Sequence, residues 1–351
     1  MEQVSWKQRL IRYAHAQEQP KEVFRTRWDF PKTVLGHRII LRKTMHSNMD
    51  WVNKLKGEVI RDEMLYLHTS LRVGGPADIF IYPKDIQDLK LIFQGAGTNP
   101  IFMLGEGSNL LVSDAGIRGI VVSLKNSFRS VQETVLSTDS KNSDLVLVKA
   151  EAGVKMSYLA KRTARLGLTG LEELAGIPGS IGGALHMNAG AEGSEISDIV
   201  KTVTVITPEG EIKTLSRDDI KFEYRSAIFP FAGGVIVGAE FELKKSDPKT
   251  IQNKISSYLD KRKNTQPLNL PNSGSVFKNP PGKKAGKLIQ EAGLKGCSFG
   301  DAVISLKHAN FIVNKGNAKA SDVVKLIKLV QKEVKEHSGY ELEKEIIFAG
   351  I

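Results

Sequence analysis

Residues 176–190 form a glycine-rich stretch with the sequence Gly176-Ile177-Pro178-Gly179-Ser180-Ile181-Gly182-Gly183-Ala184-Leu185-His186-Met187-Asn188-Ala189-Gly190. The stretch has too many glycines for a regular strand or helix, and too few polar residues for a flexible linker. A backbone without side chains can approach a flat or phosphorylated ligand closely. The sequence therefore predicts a tightly folded loop that lies against such a ligand.

A second glycine-rich segment, Gly105-Glu106-Gly107-Ser108-Asn109-Leu110-Leu111-Val112, follows an apolar run that predicts a buried strand. Its backbone N–H groups and the Ser108 hydroxyl can donate hydrogen bonds to a phosphate. Neither segment is the G-x-G-x-x-G of a Rossmann fold or the G-x-x-x-x-G-K-[ST] of a P-loop. Tight turns alone could explain one such segment, but two in one chain favour a bound ligand.

Hydrophobic patterning around these segments predicts an α+β protein without internal repeats. A helix is predicted to begin near Pro83, and another carries Met156, Leu159, Ala160, Thr163 and Leu166 at helical spacing. Strands are predicted at residues 101–104, 110–112, 119–124, 145–148 and 235–243, with a hairpin at 203–215.

The polar stretch at residues 244–249, which contains Pro248, suggests a domain boundary. A helix with Ile251, Ile255 and Leu259 on one side is predicted to follow it. The last hundred residues or so then predict a helix at 285–292, a strand at 310–313, a long amphipathic helix capped by Ser321, and a closing strand at 345–348.

Composition excludes several classes of protein. The 351 residues include a single cysteine, Cys297, so no disulfide framework or C-x-x-C site can form within the chain, and a reducing, cytoplasmic compartment is expected. The longest uncharged stretch, residues 174–191, carries glycines, a proline and polar side chains, and would make a poor membrane helix. No signal-peptide pattern opens the sequence. These observations argue against secreted, membrane-spanning and zinc-ribbon proteins.

Positive charge is concentrated in residues 1–48, which hold ten Lys and Arg against four Asp and Glu, or +6 of the total +11. A basic tail can bind a polyanion, but no aromatic–basic interleaving or nucleic-acid module accompanies this one. We expect a disordered, solvated extension, or an upstream start with Met49 as the natural first residue, and no nucleic-acid partner.

Several further motifs follow one another along the chain: Thr69-Ser-Leu-Arg-Val-Gly-Gly-Pro-Ala-Asp78, Tyr224-Arg225-Ser226, Gly274-Ser-Val-Phe-Lys-Asn-Pro280, Ala285-Gly-Lys-Leu-Ile-Gln-Glu-Ala-Gly-Leu-Lys-Gly296, His308-Ala-Asn-Phe-Ile-Val-Asn314 and Leu342-Glu-Lys-Glu-Ile346. With the two glycine-rich segments, they closely resemble the motifs of the UDP-N-acetylenolpyruvoylglucosamine reductases, the MurB family. The short spacing between Arg225 and Ser275 matches the shorter of the two structural types of this family, which lacks a tyrosine-bearing loop. Residues 1–48 have no recognised counterpart.

The resemblance implies an α+β fold in which a two-lobed FAD-binding domain of the vanillyl-alcohol-oxidase (PCMH) type precedes a C-terminal α/β substrate-binding domain. The expected limits are 49–126 for the first lobe, 127–245 for the second and 246–351 for the C-terminal domain. FAD would lie between the lobes, with its diphosphate on the 105–112 turn. The residues expected to bind it are Arg72, Gly105, Glu106, Gly107, Ser108, Asn109, Leu110, Gly176, Ile177, Pro178, Gly179, Ser180, Gly182, Gly183, Asn188, Ala189 and Gly190.

By the same resemblance, the enzyme uses NADPH to reduce the enolpyruvyl ether of UDP-N-acetylglucosamine to the lactyl ether of UDP-N-acetylmuramate, a peptidoglycan precursor. Hydride arrives at the terminal alkene carbon, and negative charge develops on the neighbouring carbon and its carboxylate. Such a reaction requires a group that stabilises this charge and a group that delivers a proton to carbon.

Three residues match the reaction centre of the family. Arg225 would hold the substrate carboxylate, since a guanidinium stays charged and can make two parallel hydrogen bonds. Glu345 would assist it, whereas the alternative is that Glu341, Glu343 and Glu345 alternate along a solvated strand. Ser275 would donate the proton, and without the resemblance it would be an ordinary turn serine.

Substrate contacts are expected from Tyr224, Lys278 and Asn279, the last two at the diphosphate. Lys287 and Lys295 could contribute or simply face solvent. The histidines near the motifs have no metal-site spacing, so no catalytic metal is expected. Cys297 is expected to be a small buried residue.

Two other functions remain open from the sequence. One is another FAD-dependent oxidase or dehydrogenase of the same fold, and the other is a non-catalytic flavin-binding scaffold. We expect a monomer whose partners are NADPH and the enolpyruvyl sugar nucleotide, with no membrane partner.

Overall fold

The computed structural model describes residues 49–135 and 144–350 of the chain. The extension expected at residues 1–48 lies outside the described residues. The described part consists of two lobes, each built on its own β-sheet, and a C-terminal α/β unit that packs against them. This arrangement places a deep cleft where the three parts meet.

The first lobe contains a four-stranded sheet with one helix. Its elements are β1 (Glu58–Met64), β2 (Pro76–Tyr82), α1 (Ile86–Ala96), β3 (Ile101–Leu104), β4 (Leu110–Val112) and β5 (Ile117–Ser123). The sheet order is β1-β2-β5-β3, in which β1 is antiparallel to β2 and the other pairs are parallel. The carboxyl ends of β2, β5 and β3 therefore share one edge, and the glycine-rich loop after β3 lies there.

Helix α1 begins at Ile86 rather than at Pro83. The Asp85 side chain accepts hydrogen bonds from the backbone N–H groups of Gln87 and Asp88, which makes it the N-cap. The buried faces of α1 and of the lobe-one sheet share one apolar cluster with Val235 and Val237 of the second lobe, so this helix also helps to join the lobes.

The second lobe is built on an antiparallel sheet. Its elements are β6 (Val131–Val135), β7 (Leu145–Glu151), α2 (Met156–Arg165), β8 (Leu168–Thr169), α3 (Ile181–His186), β9 (Gly190–Ala191), β10 (Ser194–Glu195), β11 (Val200–Ile206), β12 (Ile212–Ser216), β13 (Lys221–Glu223), β14 (Ser226–Ile228), β15 (Val235–Lys245) and α4 (Pro248–Thr265). The sheet order is β12-β11-β15-β7-β6, and β8 pairs with the end of β15. The predicted hairpin at 203–215 is confirmed by the pairing of β11 with β12.

Helix α4 packs on the second lobe. Its Ile251 and Ile255 belong to the apolar core of that lobe, while Leu259 is 37% exposed. The domain limits expected from the sequence stay a prediction. The packing of α4 shows that the polar stretch before it does not separate this helix from the second-lobe core.

The C-terminal unit contains α5 (Ala285–Glu291), β16 (Ser298–Phe299), β17 (Ala302–Ile304), β18 (Ile312–Asn314), α6 (Ala320–Ser338) and β19 (Ile347–Ala349). Strands β16, β17 and β18 form a small antiparallel sheet. Strand β19 leaves this unit and pairs in parallel with β4 of the first lobe. The apolar core of the unit also takes in Leu71, Val73 and Leu111 of the first lobe. The last strand and the C-terminal core are therefore packed against the first lobe.

The expectation that Ser321 caps the long helix is wrong. Helix α6 begins at Ala320, and Ser321 lies in its first turn. The Asp114 carboxylate of the first lobe accepts hydrogen bonds from the backbone N–H groups of Ala320 at 2.7 Å and Ser321 at 3.0 Å. A carboxylate at this position satisfies unpaired N–H groups and complements the helix dipole.

Candidate active site

A cleft of about 1770 Å³ contains most of the residues predicted for the site. Both glycine-rich segments line it, as do Arg225, Ser275, Lys278 and Glu345. Four of the predicted site residues do not line it: Arg72, Asn188, Tyr224 and Asn279. The structure thus brings together segments from all three parts of the protein.

Arg225 lines the cleft and lies in a two-residue turn between β13 and β14. Its backbone φ is +59°, a left-handed conformation that is rare for residues other than glycine. Its Nε donates a hydrogen bond of 2.8 Å to Oε1 of Glu345, and both side chains are less than one-fifth exposed. A left-handed residue fits a two-residue hairpin turn, and this turn brings Arg225 to the cleft.

Asn188 holds the turn that carries Arg225. It is 1% exposed, and its amide donates to the Glu223 carbonyl at 3.0 Å and to the Glu195 carboxylate at 2.6 Å. Its own oxygen accepts from the Ser197 N–H at 3.3 Å. The side chain is therefore engaged in the protein interior and fixes the residue just before the Tyr224-Arg225 turn.

The Glu345 segment is fixed by backbone hydrogen bonds on two sides. Its N–H donates to the Val276 carbonyl at 2.8 Å, and its carbonyl accepts from the Asn109 amide at 3.0 Å. Strand β19 begins only at Ile347, so Glu345 does not lie on a solvated strand face. Burial raises the pKa of Glu345 above its ordinary value of 4.5, although Arg225 and Lys278 act in the opposite direction. Its carboxyl group consequently takes up a proton more readily than an exposed one.

Ser275 reaches the same part of the cleft because its neighbour Val276 pairs with the Glu345 segment. The loop before it turns at Gly274, where φ is +76° and the N–H donates to the Asn272 side chain. A glycine suits this conformation, and the turn directs the chain towards the cleft. Ser275, Arg225 and Glu345 are thereby presented from three separate stretches of sequence.

The residues predicted to contact the substrate have partners in the protein. Lys278 Nζ donates to the Glu343 carboxylate at 2.6 Å. The Asn279 oxygen accepts from the Ala285 N–H, so this side chain caps α5. Tyr224 is 45% exposed, and its ring centre lies 4.8 Å from the Arg225 guanidinium carbon. Of these residues, Lys278 is the one that lines the cleft.

The glycine-rich segments contact each other across the cleft. The Ser108 hydroxyl donates to the Pro178 carbonyl at 2.8 Å, which links the two lobes. The nearby Glu106 carboxylate lies 3.4 Å from Lys155 Nζ, so its charge is balanced by a lysine of the second lobe. Arg72 is exposed and has a φ of +55°, and its backbone carbonyl accepts a hydrogen bond from the Asn314 side chain.

The glycines fall into two groups, and this distinction tests whether the cleft fits FAD. A Cβ on Gly107 would lie 2.1 Å from the His68 carbonyl oxygen, so the packing of the protein itself requires glycine there. A Cβ on Gly183 would meet nothing closer than the Ser180 hydroxyl at 3.6 Å, and one on Gly105 would meet only that hydroxyl at 3.1 Å. Glycine at these two positions leaves open space beside backbone N–H groups. Such a cradle fits an elongated dinucleotide.

Some cleft residues are not identified by the sequence reasoning. Tyr258 and Arg262 of α4 and Lys125 after β5 all line the cleft, but no local motif marks them. His186 also lines it, and the surrounding protein lowers its pKa by desolvation. Cys297 is buried in the C-terminal core, as expected. Within residues 49–135 and 144–350, no group of three or more His, Cys, Asp and Glu side chains is placed to hold a metal ion.

Comparison with known proteins gives a consistent result. The family model described as FAD binding domain matches residues 77–216, and the model described as UDP-N-acetylenolpyruvoylglucosamine reductase, C-terminal domain, matches residues 266–349. These matches confirm the predicted FAD-binding fold followed by a C-terminal domain.

Individual relatives carry the same name. The UDP-N-acetylenolpyruvoylglucosamine reductase of Listeria welshimeri is 44% identical over 291 residues, which cover 82% of this chain and 94% of that protein. The enzyme of the same name from Lachnoclostridium phytofermentans is 43% identical and also covers 82% of this chain. The crystal structure of the reductase (MurB) from Thermus caldophilus is 34% identical, with a TM-score of 0.70 over 84% of this chain and 99% of that one. This chain therefore belongs to the UDP-N-acetylenolpyruvoylglucosamine reductase family.

Proposed function

We propose that this protein reduces the enolpyruvyl ether of UDP-N-acetylglucosamine to UDP-N-acetylmuramate, with NADPH as reductant and FAD as bound cofactor. The observation that carries the proposal is the meeting of Arg225, Glu345 and Ser275 in a cleft lined by two glycine-rich segments. The chemistry that bound FAD supplies is the acceptance of a hydride from NADPH and its delivery to the alkene. The residues expected to hold it are the glycine-rich segments at 105–110 and 176–190.

Arg225 is proposed to bind the substrate carboxylate. A guanidinium has five N–H donors, and the one on Nε is directed at Glu345, so the terminal nitrogens can serve the substrate. Negative charge spreads onto that carboxylate as hydride reaches the terminal carbon. A fixed cation in a partly desolvated cleft stabilises such charge more strongly than water does.

Glu345 is proposed to act beside Arg225 on the same carboxylate. Its raised pKa makes the protonated form more accessible than in an exposed glutamate, and that form can donate a hydrogen bond to the substrate carboxylate. The Asn109 and Val276 contacts to its backbone hold it in place. The protonation of Glu345 thus sets the net charge that the Arg225–Glu345 pair presents to the substrate carboxylate.

Ser275 is proposed to protonate the carbon next to the carboxylate. The substrate gains a hydride at its terminal carbon and a proton at this one, while NADPH becomes NADP⁺, so the reaction balances with one proton from solvent. A serine hydroxyl is a weak acid, and its contribution depends on position. The turn at Gly274 and the pairing of Val276 with the Glu345 segment supply that position.

The two alternatives are distinguished by the chemistry of these residues. An oxidase or dehydrogenase acting on a hydroxyl substrate requires a base that removes a proton. An arginine that can bind a carboxylate and a serine that can donate a proton suit reduction of an activated alkene. A non-catalytic scaffold would not need a half-buried arginine paired with a carboxyl group in its cleft.

Anaerobic stopped-flow spectroscopy tests the proposal directly. The purified holoenzyme should be bleached by NADPH, and the enolpyruvyl sugar nucleotide should then restore the flavin absorbance at a rate compatible with turnover. A reduced enzyme that is reoxidised by oxygen but not by this substrate would contradict the proposal and favour an oxidase.

We further propose that the enzyme acts as a monomer in the cytoplasm, without nucleic-acid or membrane partners. In the part of the chain that the structure describes, no helix combines the length and the apolar character needed to cross a bilayer. Size-exclusion chromatography with light scattering tests the oligomeric state.

A further inference from the structure

Arg262 lies in the wall of the cleft, in the last turn of α4. Its side chain packs directly on Gly176 of the second glycine-rich segment. A Cβ on Gly176 would lie 2.8 Å from Cδ of Arg262 and 2.9 Å from its Nη1. Any side chain at residue 176 would therefore displace the guanidinium, so the glycine makes room for this arginine.

The contacts of Arg262 differ from those of three other cations that line the cleft. Arg118, Arg225 and Lys278 each form an ion pair with a carboxylate, namely Asp78, Glu345 and Glu343. Arg262 Nε donates to the neutral side chain of Gln266 at 3.1 Å. Within residues 49–135 and 144–350, no carboxylate lies within ion-pair distance of Arg262.

Two carboxylates that line the cleft are paired with neighbours of Arg262 on α4. Glu173 accepts from the Tyr258 hydroxyl at 3.0 Å, and Glu192 pairs with Lys261 at 2.6 Å. Burial lowers the pKa of Arg262, but a guanidinium stays protonated in proteins. A half-buried cation that has no counter-ion in the protein is available to a ligand that supplies negative charge.

We propose that Arg262 is an anion-binding residue of the cleft that holds a phosphate group of a nucleotide ligand. The planar guanidinium matches two phosphate oxygens at once. FAD, NADPH and the sugar nucleotide all contain a diphosphate, so this chemistry is common to the three. The assignment of the last two ligands rests on the proposed function. Arg225 and Glu345 are paired with each other and are already proposed to bind the substrate carboxylate. Arg262 is therefore available to bind a second anionic group.

Three dissociation constants identify the ligand. The Arg262→Gln variant removes the charge and keeps a polar side chain at the cleft wall. FAD affinity is measured by reconstitution of the apoprotein, NADPH affinity from the anaerobic reductive half-reaction, and sugar-nucleotide affinity from the perturbation of the flavin spectrum. We expect one of the three constants to rise tenfold or more, with the largest loss at low salt and partial recovery in Arg262→Lys.

Lys261→Gln is the matched control. It removes the same charge from the neighbouring position of α4, but Lys261 is exposed and paired with Glu192. We expect all three constants to stay within twofold of the wild type in this variant. An equal loss in Lys261→Gln would show a general field effect and overturn the proposal.

The proposal is also overturned if a folded Arg262→Gln keeps all three constants within twofold of the wild type. If this variant does not fold, Arg262→Lys takes its place, with an expected loss of at least threefold for one ligand, and no loss overturns the proposal. The wild-type half-reactions are measured alongside. If the wild type fails them, the proposed function is refuted, and the role of Arg262 is then decided by FAD affinity alone.

Discussion

The Asn109 side chain donates a hydrogen bond of 3.0 Å to the backbone carbonyl of Glu345, which lies 236 positions later in the chain. The Ile347 N–H returns a hydrogen bond of 3.0 Å to the Asn109 carbonyl. The loop expected to hold the FAD diphosphate and the segment that carries the buried carboxyl group are therefore directly joined. A change in one should alter the position of the other.

Replacement of Asn109 tests this connection. We expect Asn109→Ala to slow flavin reoxidation by the sugar nucleotide about tenfold, since Glu345 loses one of its two backbone supports, and to lower stability by about 1 kcal/mol. Stopped-flow kinetics and denaturant unfolding measure these effects. Asn99→Ala is the control, because the Asn99 amide also bonds a backbone carbonyl, that of Ala96, and Asn99 does not line the cleft. Equal kinetics in the two variants would contradict the connection.

Ser275 should matter in only one half of the catalytic cycle. We expect Ser275→Ala to retain its flavin and to be bleached by NADPH at nearly the wild-type rate. Reoxidation by the sugar nucleotide should slow by about 10²–10⁴-fold, the usual contribution of general acid catalysis. Ser275→Cys should retain more activity, because a thiol can still donate a proton. Wild-type reoxidation by Ser275→Ala would mean that the proton comes from another group.

Arg225 should not be replaceable by lysine. An ammonium keeps the charge but cannot make the two parallel hydrogen bonds of a guanidinium. It therefore could not bind the substrate carboxylate in this way while also donating to Glu345. We expect Arg225→Lys to slow reoxidation by about tenfold or more, with little change in bleaching by NADPH. Lys213→Arg, an exposed position on β12, is a control for charge-conserving replacement. A fully active Arg225→Lys would remove the guanidinium from the reaction centre.

The raised pKa of Glu345 predicts a pH dependence of stability. Because burial favours the protonated form in the folded state, this form stabilises the protein at low pH, and the contribution is lost as pH rises from about 4.5 through the folded-state pKa. We expect the free energy of unfolding of the wild type, relative to Glu345→Gln, to fall across that range. A wild-type curve that rises across the range would contradict the direction of the shift.

Two glycines should respond differently to added side chains. Gly107→Ala should destabilise the protein even without FAD. The φ of +62° at this position disfavours any residue with a side chain, and a Cβ there would lie 2.1 Å from the His68 carbonyl oxygen. Gly183→Leu should fold, since helix α3 tolerates leucine, but purify without flavin because the side chain enters the cleft. Thermal unfolding of the apoproteins and the ratio of flavin to protein absorbance measure the two effects. Full flavin content in Gly183→Leu would remove this position from the cofactor site.

The sequence predicts most elements whose signals are local. The strand before Gly105, helix α2 and the hairpin of β11 and β12 follow from residues that are neighbours in the chain. The cap of α6 could not be predicted, because Asp114 supplies it from another part of the protein. The packing of α4 on the second lobe likewise depends on Ile251 and Ile255 finding a surface made by distant residues.

The site shows the same division between local and long-range information. Motif resemblance identified Arg225, Ser275 and Glu345, and the structure places all three at one cleft. It did not indicate that Asn188 supports the Arg225 turn from the interior or that Asn279 caps α5. These two amides make contacts that the spacing of a motif does not encode. Arg262 lies in none of the recognised motifs, and its packing against Gly176 is visible only in the structure.

The parallel pairing of β4 with β19 has a consequence for synthesis on the ribosome. Glu345 is translated 236 positions after Asn109, which takes roughly 10–50 s at ordinary elongation rates. During that interval the first lobe presents a strand edge without its partner, together with the apolar Leu111 side chain that the finished protein buries completely. Unpaired edges and exposed apolar residues promote association between nascent chains. We therefore expect aggregation during expression to start at β4, a surface that is hidden once the last strand has docked.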